Sequence, residues 1–96
     1  MNRKLFSTIL MKDENIRLDY FLLSREHKNT AGNLVREYGV EIRQSPAGSF
    51  SLCPYAMTSI PDISCQKEDM ENLLNMLSES ATDPSCLVDI IEDWID

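Results

Sequence analysis

Residues 16–25, IRLDYFLLSR, decide the fold of this chain. Apolar side chains occupy every second position of the stretch, at Ile16, Leu18, Tyr20 and Leu22. The positions between them hold Arg17, Asp19 and Phe21, and Leu23 follows Leu22. A period of two over this length, in residues that favour extended backbone, predicts a β-strand with one continuous apolar face.

The segments on either side extend this strand into a sheet. Residues 4–11 are predicted to form a strand that pairs with it through the polar loop 12–15, which has the length of a hairpin loop. Residues 27–33, HKNTAGN, are predicted to be a loop, and residues 35–44 alternate again as a third strand. An alternative is a short helical turn at 33–38, which would leave three strands.

Two positions in this half constrain the backbone. Gly39 interrupts the third strand and predicts a bulge or a close approach of another backbone segment. Residues 50–55 form a weaker fourth strand, in which Pro54 lacks the N–H that a ladder needs. We expect Pro54 to end that strand or to confine it to an edge.

The second half changes to a helical period. Ser64 is a predicted N-cap, and the apolar side chains that follow it at i, i+3, i+4 and i+7 are Met70, Leu73, Leu74 and Leu77. Asp83 followed by Pro84 predicts the start of a second helix. Its apolar stripe has the same spacing and consists of Leu87, Ile90, Ile91 and Trp94.

Strands followed by helices predict an α+β domain: an antiparallel sheet of three to four strands with a C-terminal two-helix hairpin packed on one face. The chain of 96 residues is one domain, β-rich over 1–57 and helical over 62–96. The predicted core consists of inward strand positions and the two helical stripes: Leu18, Tyr20, Leu22, Val40, Ile42, Leu73, Leu74, Leu77, Leu87, Ile90, Ile91 and Trp94.

Composition restricts the class of protein. No apolar run approaches the roughly 18 residues that span a bilayer, and no cleavage site follows the short apolar run at the start, so we expect no membrane insertion. Three widely spaced cysteines, Cys53, Cys65 and Cys86, favour a reducing compartment, and we expect the protein to be cytoplasmic. The net charge is −7, with a balance of +2 over residues 1–60 and −9 over residues 61–96.

No catalytic, cofactor or metal constellation stands out. His27 is the only histidine and is interpreted as an exposed loop residue, and Cys65 near a helix N-terminus is the one thiol with a reason to ionise. Cys53 and Cys86 are interpreted as small apolar fillers. The cysteine spacing does not fit structural zinc, and no glycine-rich loop opens a helix.

Nucleic-acid binding is disfavoured by the overall charge. Four arginines are candidates for a shared open sheet face, which we interpret as a solvated surface of mixed charge: Arg17, Arg25, Arg36 and Arg43.

The last helix carries an acidic stripe opposite its apolar one. Asp89, Glu92, Asp93 and Asp96 are spaced i, i+3, i+4 and i+7, and no Lys or Arg follows Lys67. Like charges at i and i+4 cost about 0.2–0.5 kcal/mol per pair, and carboxylates near a helix C-terminus oppose the dipole. Acidic surfaces also keep small proteins soluble, which is the competing explanation.

Four functional hypotheses follow. The first is a non-enzymatic interaction or regulatory module in which Asp89, Glu92, Asp93 and Asp96 dock a basic partner protein, with the patch extended by Glu68, Asp69 and Glu71. The second is a small enzyme or ligand-binding domain that uses Cys65 or His27. The third is a homodimer formed through the open sheet face that carries Phe21 and Leu23. The fourth is an acidic mimic of nucleic acid.

The chain also resembles a known family over roughly its last sixty residues. The resemblance rests on residues 38–42 (YGVEI), residues 60–64 (IPDIS) opening a Lys/Glu-rich helix, and residues 84–95 (PSCLVDIIEDWI). These stretches are similar to a small family of clostridial-type Firmicutes proteins without an assigned activity. Members often have His where this chain has Cys86 or Leu87. The resemblance implies a bacterial cytoplasmic protein and carries over no site residues.

Overall fold

The computed structural model describes residues 1–47 and 56–95. A four-stranded sheet comes first and two helices follow it. The second helix is preceded by a 3₁₀ turn, Pro84–Cys86. The strands and helices are β1 (Asn2–Met11), β2 (Ile16–Lys28), β3 (Leu34–Pro46), β4 (Ala56–Ser64), α1 (Lys67–Glu79) and α2 (Leu87–Ile95).

The sheet is an antiparallel meander with the strand order β1-β2-β3-β4. Leu18 on the central strand β2 lies opposite Ile9 of β1 and Gln44 of β3. Both helices pack on one face of the sheet, so the predicted α+β architecture is confirmed. None of the helices in the described part of the chain is long and apolar enough to cross a membrane.

The core lies between the sheet and the helices, and its composition is largely as predicted. Tyr20, Val40 and Ile42 are fully buried beneath α1. Trp94 is the exception, because it is 37% exposed. Burial decreases along α2, from Leu87 in its first turn through Ile91 to Trp94 in its last, so only the beginning of this helix is covered by the core.

The N-terminus of α1 differs from the prediction. Ser64 is the last residue of β4 and pairs with Tyr38 of β3, which keeps the backbone extended at the predicted capping position. The helix begins three residues later, with Gln66 at its N-cap position. The Ser64 hydroxyl accepts the Gln66 N–H at 3.0 Å, so it caps the connecting turn instead of the helix.

Two strand boundaries in the first half also differ. β2 continues through His27 and Lys28, which pair with Val35 and Leu34 of β3, so the loop is shorter than the predicted 27–33. Because β3 already begins at Leu34, the alternative of a helical turn at 33–38 is wrong.

The fourth strand is displaced along the sequence. The predicted strand 50–55 lies outside the described residues, and β4 runs from Ala56 to Ser64. Pro61 within β4 is tolerated because this strand is an edge of the sheet and its register with β3 shifts between Tyr38 and Val40.

Gly39 allows that shift. A Cβ atom at this position would lie 2.0 Å from the carbonyl oxygen of Ile60 and 2.5 Å from backbone atoms of Pro61. The backbone of β4 therefore crosses Gly39 at a distance that no side chain permits. The predicted bulge and close approach are both confirmed.

Candidate functional site

A buried carboxylate lies on the sheet face that the helices leave open. Glu41 on β3 is 0% exposed. The Nε atoms of Arg3 and Arg43 each lie 2.7 Å from its Oε2, and the Ser59 hydroxyl donates to its Oε1. Arg3 and Arg43 also lie over the ring of Phe21, at 6.0 and 5.1 Å from its centroid.

The ionisation of Glu41 follows from these contacts. Burial by itself would raise the pKa of this carboxyl group, but the hydrogen bonds from Ser59, Arg3 and Arg43 outweigh it and lower the pKa. Glu41 is therefore ionised at neutral pH and neutralised by its own sheet. Strands β1, β3 and β4 each contribute one group or more to this cluster, which ties the open face together.

The Glu41 cluster alters the open sheet face through which a homodimer was expected to form. Phe21 is half-buried, with the two arginines over its ring, and Leu23 is 1% exposed. The open apolar surface expected at these two residues is therefore absent. The hypothesis of self-association remains untested.

The register also separates the four arginines that were candidates for one basic face. Arg17, Arg25 and Arg43 lie on the open face, whereas Arg36 lies on the opposite face and pairs with Glu26. Each of them contacts a carboxylate. The sheet therefore presents charge-paired arginines in place of a basic stripe.

A second polar cluster contains the only histidine. His27 Nε2 lies 2.6 Å from Glu37 Oε1, and Arg25 on the same face pairs with Asp62. The hydrogen bond with Glu37 is the main reason that the pKa of His27 is raised, and the same bond lowers the pKa of Glu37. His27 is thus a half-buried strand residue paired with Glu37, and its interpretation as an exposed loop histidine is wrong.

The cysteines do not join this cluster. Cys65, in the turn before α1, is an exposed free thiol, and the ring nitrogens of His27 contact Glu37 and the Lys28 carbonyl instead. Cys86 is exposed as well, so the prediction of a buried filler is wrong at that position. Cys53 lies outside the described residues. Within residues 1–47 and 56–95, no three His, Cys, Asp or Glu side chains form a group that would hold a metal ion.

The carboxylates of the strands and helices differ in one respect. Each carboxylate on a strand contacts an arginine or the histidine: Asp19, Glu26, Glu37, Glu41 and Asp62. In the described part of the chain, none of the carboxylates of α1 and α2 has an ion pair or hydrogen bond: Glu68, Asp69, Glu71, Glu79, Asp89, Glu92 and Asp93. Among the described residues, the carboxylates of the sheet are therefore paired and those of the helices are not.

The acidic stripe of α2 is accessible. Asp89, Glu92 and Asp93 are exposed, whereas Asp96 lies outside the described residues. On α1, Glu68 and Asp69 are exposed and Glu71 is half-buried. Sequence periodicity predicted the acidic stripe of α2. The structure adds that none of these helical carboxylates forms an ion pair with a cation of the described residues.

A comparison with known protein families matches nearly the whole of this chain. Residues 3–96 match the model of a family of unknown function, DUF6514. The chain belongs to the DUF6514 family. The match includes β1 and β2 as well as the helices, so it extends well beyond the last sixty residues. No curated protein and no solved structure matches this DUF6514 protein.

Proposed function

We propose that this DUF6514 protein is a non-enzymatic protein-interaction module whose acidic helical layer docks on a basic surface of a partner protein. One observation carries the proposal: among the described residues, the strand carboxylates are paired, whereas those of α1 and α2 are not. Unpaired charge on a single layer steers a complementary surface and raises the rate of association.

The acidic stripe destabilises α2, which supports a role for these carboxylates in binding another protein. Asp89 and Asp93 are a like-charge i, i+4 pair, and no basic residue occupies the last turn of α2. Glu92 and Asp93, in the last turn of α2, oppose the helix dipole by about 0.3–1 kcal/mol each at low salt, whereas Asp89 lies in the first turn. A basic partner removes this repulsion, so binding and helix stability are coupled.

Apolar side chains beside the stripe provide contact area. Val88 is 47% exposed and Trp94 is 37% exposed, and both lie on α2 with Asp89, Glu92 and Asp93. Exposed tryptophan surrounded by charge is typical of interface residues that contribute much of a binding energy. Acidic residues would then supply orientation, and Trp94 would anchor the complex.

We infer the compartment and the source of the protein from its cysteines and from the family resemblance. Cys65 and Cys86 are exposed free thiols, which favours a reducing cytoplasm. We infer a clostridial-type bacterial origin from the resemblance and expect the partner in a lysate of such a bacterium.

The test compares two variants with equal changes in charge. The first, Asp89→Asn/Glu92→Gln/Asp93→Asn, neutralises the stripe. The control, Asp13→Asn/Glu14→Gln/Glu26→Gln, neutralises three exposed carboxylates outside α1 and α2. Glu26 gives up only an exposed ion pair with Arg36. Each protein is used to capture partners from the lysate at low and high salt, and a captured protein is purified and titrated against all three.

The proposal requires a basic protein that binds the native chain and the control directly, dissociates at high salt and fails to bind the stripe variant. Equal binding by all three proteins, or capture of no protein, would refute it. Displacement of the partner by DNA or RNA would identify the stripe as a nucleic-acid mimic.

A further inference from the structure

The outer edge of β1 is unpaired. In the described part of the chain β1 pairs only with β2, over the ten residues Asn2–Met11. An exposed edge presents a row of backbone N–H and C=O groups that another strand can extend. The register of β1 shifts between Leu5 and Ser7, which places a bulge at Phe6 in the middle of this edge.

A cavity opens beside the bulge, between β1 and α1. Its volume is about 270 Å³, and Leu5, Phe6 and Leu22 form its apolar walls. Phe6 packs against the core and Leu22 belongs to it, so these walls are held by the fold. The cavity therefore suits one apolar side chain that arrives along the edge of the sheet.

Two lysines line the same cavity. Lys4 on β1 and Lys67 at the start of α1 have no ion pair or hydrogen bond among the described residues, whereas each arginine on the sheet is paired. Glu71 is the single carboxylate in the lining. The site thus carries an excess of positive charge in a protein with a net charge of −7.

We propose that the groove between β1 and α1 binds an extended peptide segment of a partner protein by β-strand addition. The segment pairs antiparallel with β1, inserts one apolar side chain between Leu5, Phe6 and Leu22, and presents a carboxylate to Lys4 and Lys67. An antiparallel segment runs with its carboxyl end toward Lys4, which places the carboxylate beside the cavity. The carboxylate is either the terminus of the partner or an Asp or Glu side chain.

The probes are two random octapeptide libraries displayed on phage, one with free C-termini and one followed by a linker. Selected peptides are synthesised and their affinities measured by fluorescence anisotropy. We expect an apolar residue next to a carboxylate. If peptides are enriched only from the library with free C-termini, the carboxylate beside Lys4 and Lys67 is the peptide terminus. If peptides are enriched from both libraries, it is an Asp or Glu side chain.

Charge reversal tests the two lysines. Lys4→Glu/Lys67→Glu should weaken peptide binding roughly tenfold, because two favourable ion pairs become repulsive. The matched control, Lys12→Glu/Lys28→Glu, changes two other exposed lysines whose side chains have no partner among the described residues, and it should leave affinity unchanged. Amide NMR shifts on peptide addition should concentrate at residues 4–11 and at Lys67.

Three results would overturn the proposal: no enrichment from either library, equal affinity for the two lysine variants, or NMR shifts confined to α2. Sedimentation of the free protein as a dimer with protected β1 amides would also overturn it, because a second copy would then occupy the edge. The α2 stripe variant should bind the peptide normally, so failure here is distinguishable from failure of the acidic docking surface.

Discussion

The hydroxyl oxygen of Tyr20 lies 2.8 Å from the carbonyl oxygen of Thr82, to which it donates a hydrogen bond in the buried interior. The two residues are 62 positions apart, on the central strand β2 and in the connection between the helices. This bond ties the helical layer to the sheet.

Removal of that hydroxyl should destabilise the protein without changing its secondary structure. Tyr20→Phe leaves a buried carbonyl oxygen without a donor, which costs about 1–3 kcal/mol. Urea unfolding followed by circular dichroism measures the change. A cost below roughly 0.5 kcal/mol would show that water or another donor replaces the hydroxyl.

Alkaline pH provides a second measurement of the same contact. Burial, and then the nearby charge of Asp83, raise the pKa of Tyr20 from 10.0 to about 12. The folded state therefore holds this proton where the unfolded state releases it, so the contribution is complete below pH 10 and declines as pH rises toward 12. The stability of the native protein should fall more steeply over this interval than that of Tyr20→Phe.

The Glu41 cluster should be worth more than an ordinary surface ion pair. Glu41→Gln removes a buried charge that Arg3 and Arg43 share, and we expect a loss of about 1–3 kcal/mol because both arginines are partly exposed and regain water. Glu26→Gln, which breaks an exposed pair with Arg36, should cost under about 1 kcal/mol.

Acid should weaken the same cluster. Because the pKa of Glu41 is lowered, its contribution is present above the ordinary value of 4.5 and is lost as pH falls through the folded value. The cost of Glu41→Gln should therefore shrink in acid. Equal losses for Glu41→Gln and Glu26→Gln at neutral pH would contradict the structural role assigned to this cluster.

Gly39 and Gly32 should respond differently to alanine. Gly39→Ala places a Cβ 2.0 Å from the Ile60 carbonyl oxygen, so β4 must separate from β3, and we expect a loss of about 3 kcal/mol or more. Gly32 has a φ of +82° and open space around it, so Gly32→Ala should cost only about 1–2 kcal/mol. Thermal unfolding of both variants tests this order, and the reverse order would contradict the close approach at Gly39.

Because His27 is the only histidine of the sequence, it should give a single imidazole signal by NMR, and its titration should report the contact with Glu37. The native pKa should lie above 6.5, and Glu37→Gln should lower it, because the hydrogen-bonded carboxylate stabilises the protonated ring. The stabilisation from His27 is complete below 6.5 and is lost as pH rises through the folded pKa. An unchanged titration in Glu37→Gln would show that the contact is absent in solution.

Neutralisation of the α2 stripe should stabilise the free protein. Asp89→Asn/Glu92→Gln/Asp93→Asn removes the like-charge pair Asp89/Asp93 and the unfavourable dipole interactions of Glu92 and Asp93. These outweigh the favourable dipole interaction of Asp89 in the first turn, so we expect a gain of about 1 kcal/mol at low salt. Salt should reduce this gain, because the charges are exposed. A loss of stability would mean that the carboxylates make favourable contacts within the chain.

Local patterns in the sequence determined most of the elements. The alternation from Ile16 to Leu22 specified β2, and the 3.6-residue spacing of apolar side chains specified both helices. Asp83 accepts the Ser85 N–H as the capping pattern predicts. These features can be predicted from the sequence because each depends only on residues a few positions away along the chain.

Only the tertiary structure decided which distant side chains meet. Arg3 reaches Glu41 across 38 residues, and Glu37 reaches His27, because the register of the meander places them on one face. Trp94 follows the apolar period of α2 and is nevertheless exposed, since periodicity defines a helix face but not how far the core extends along it. Register and the extent of packing depend on the whole sheet, so no local pattern encodes them.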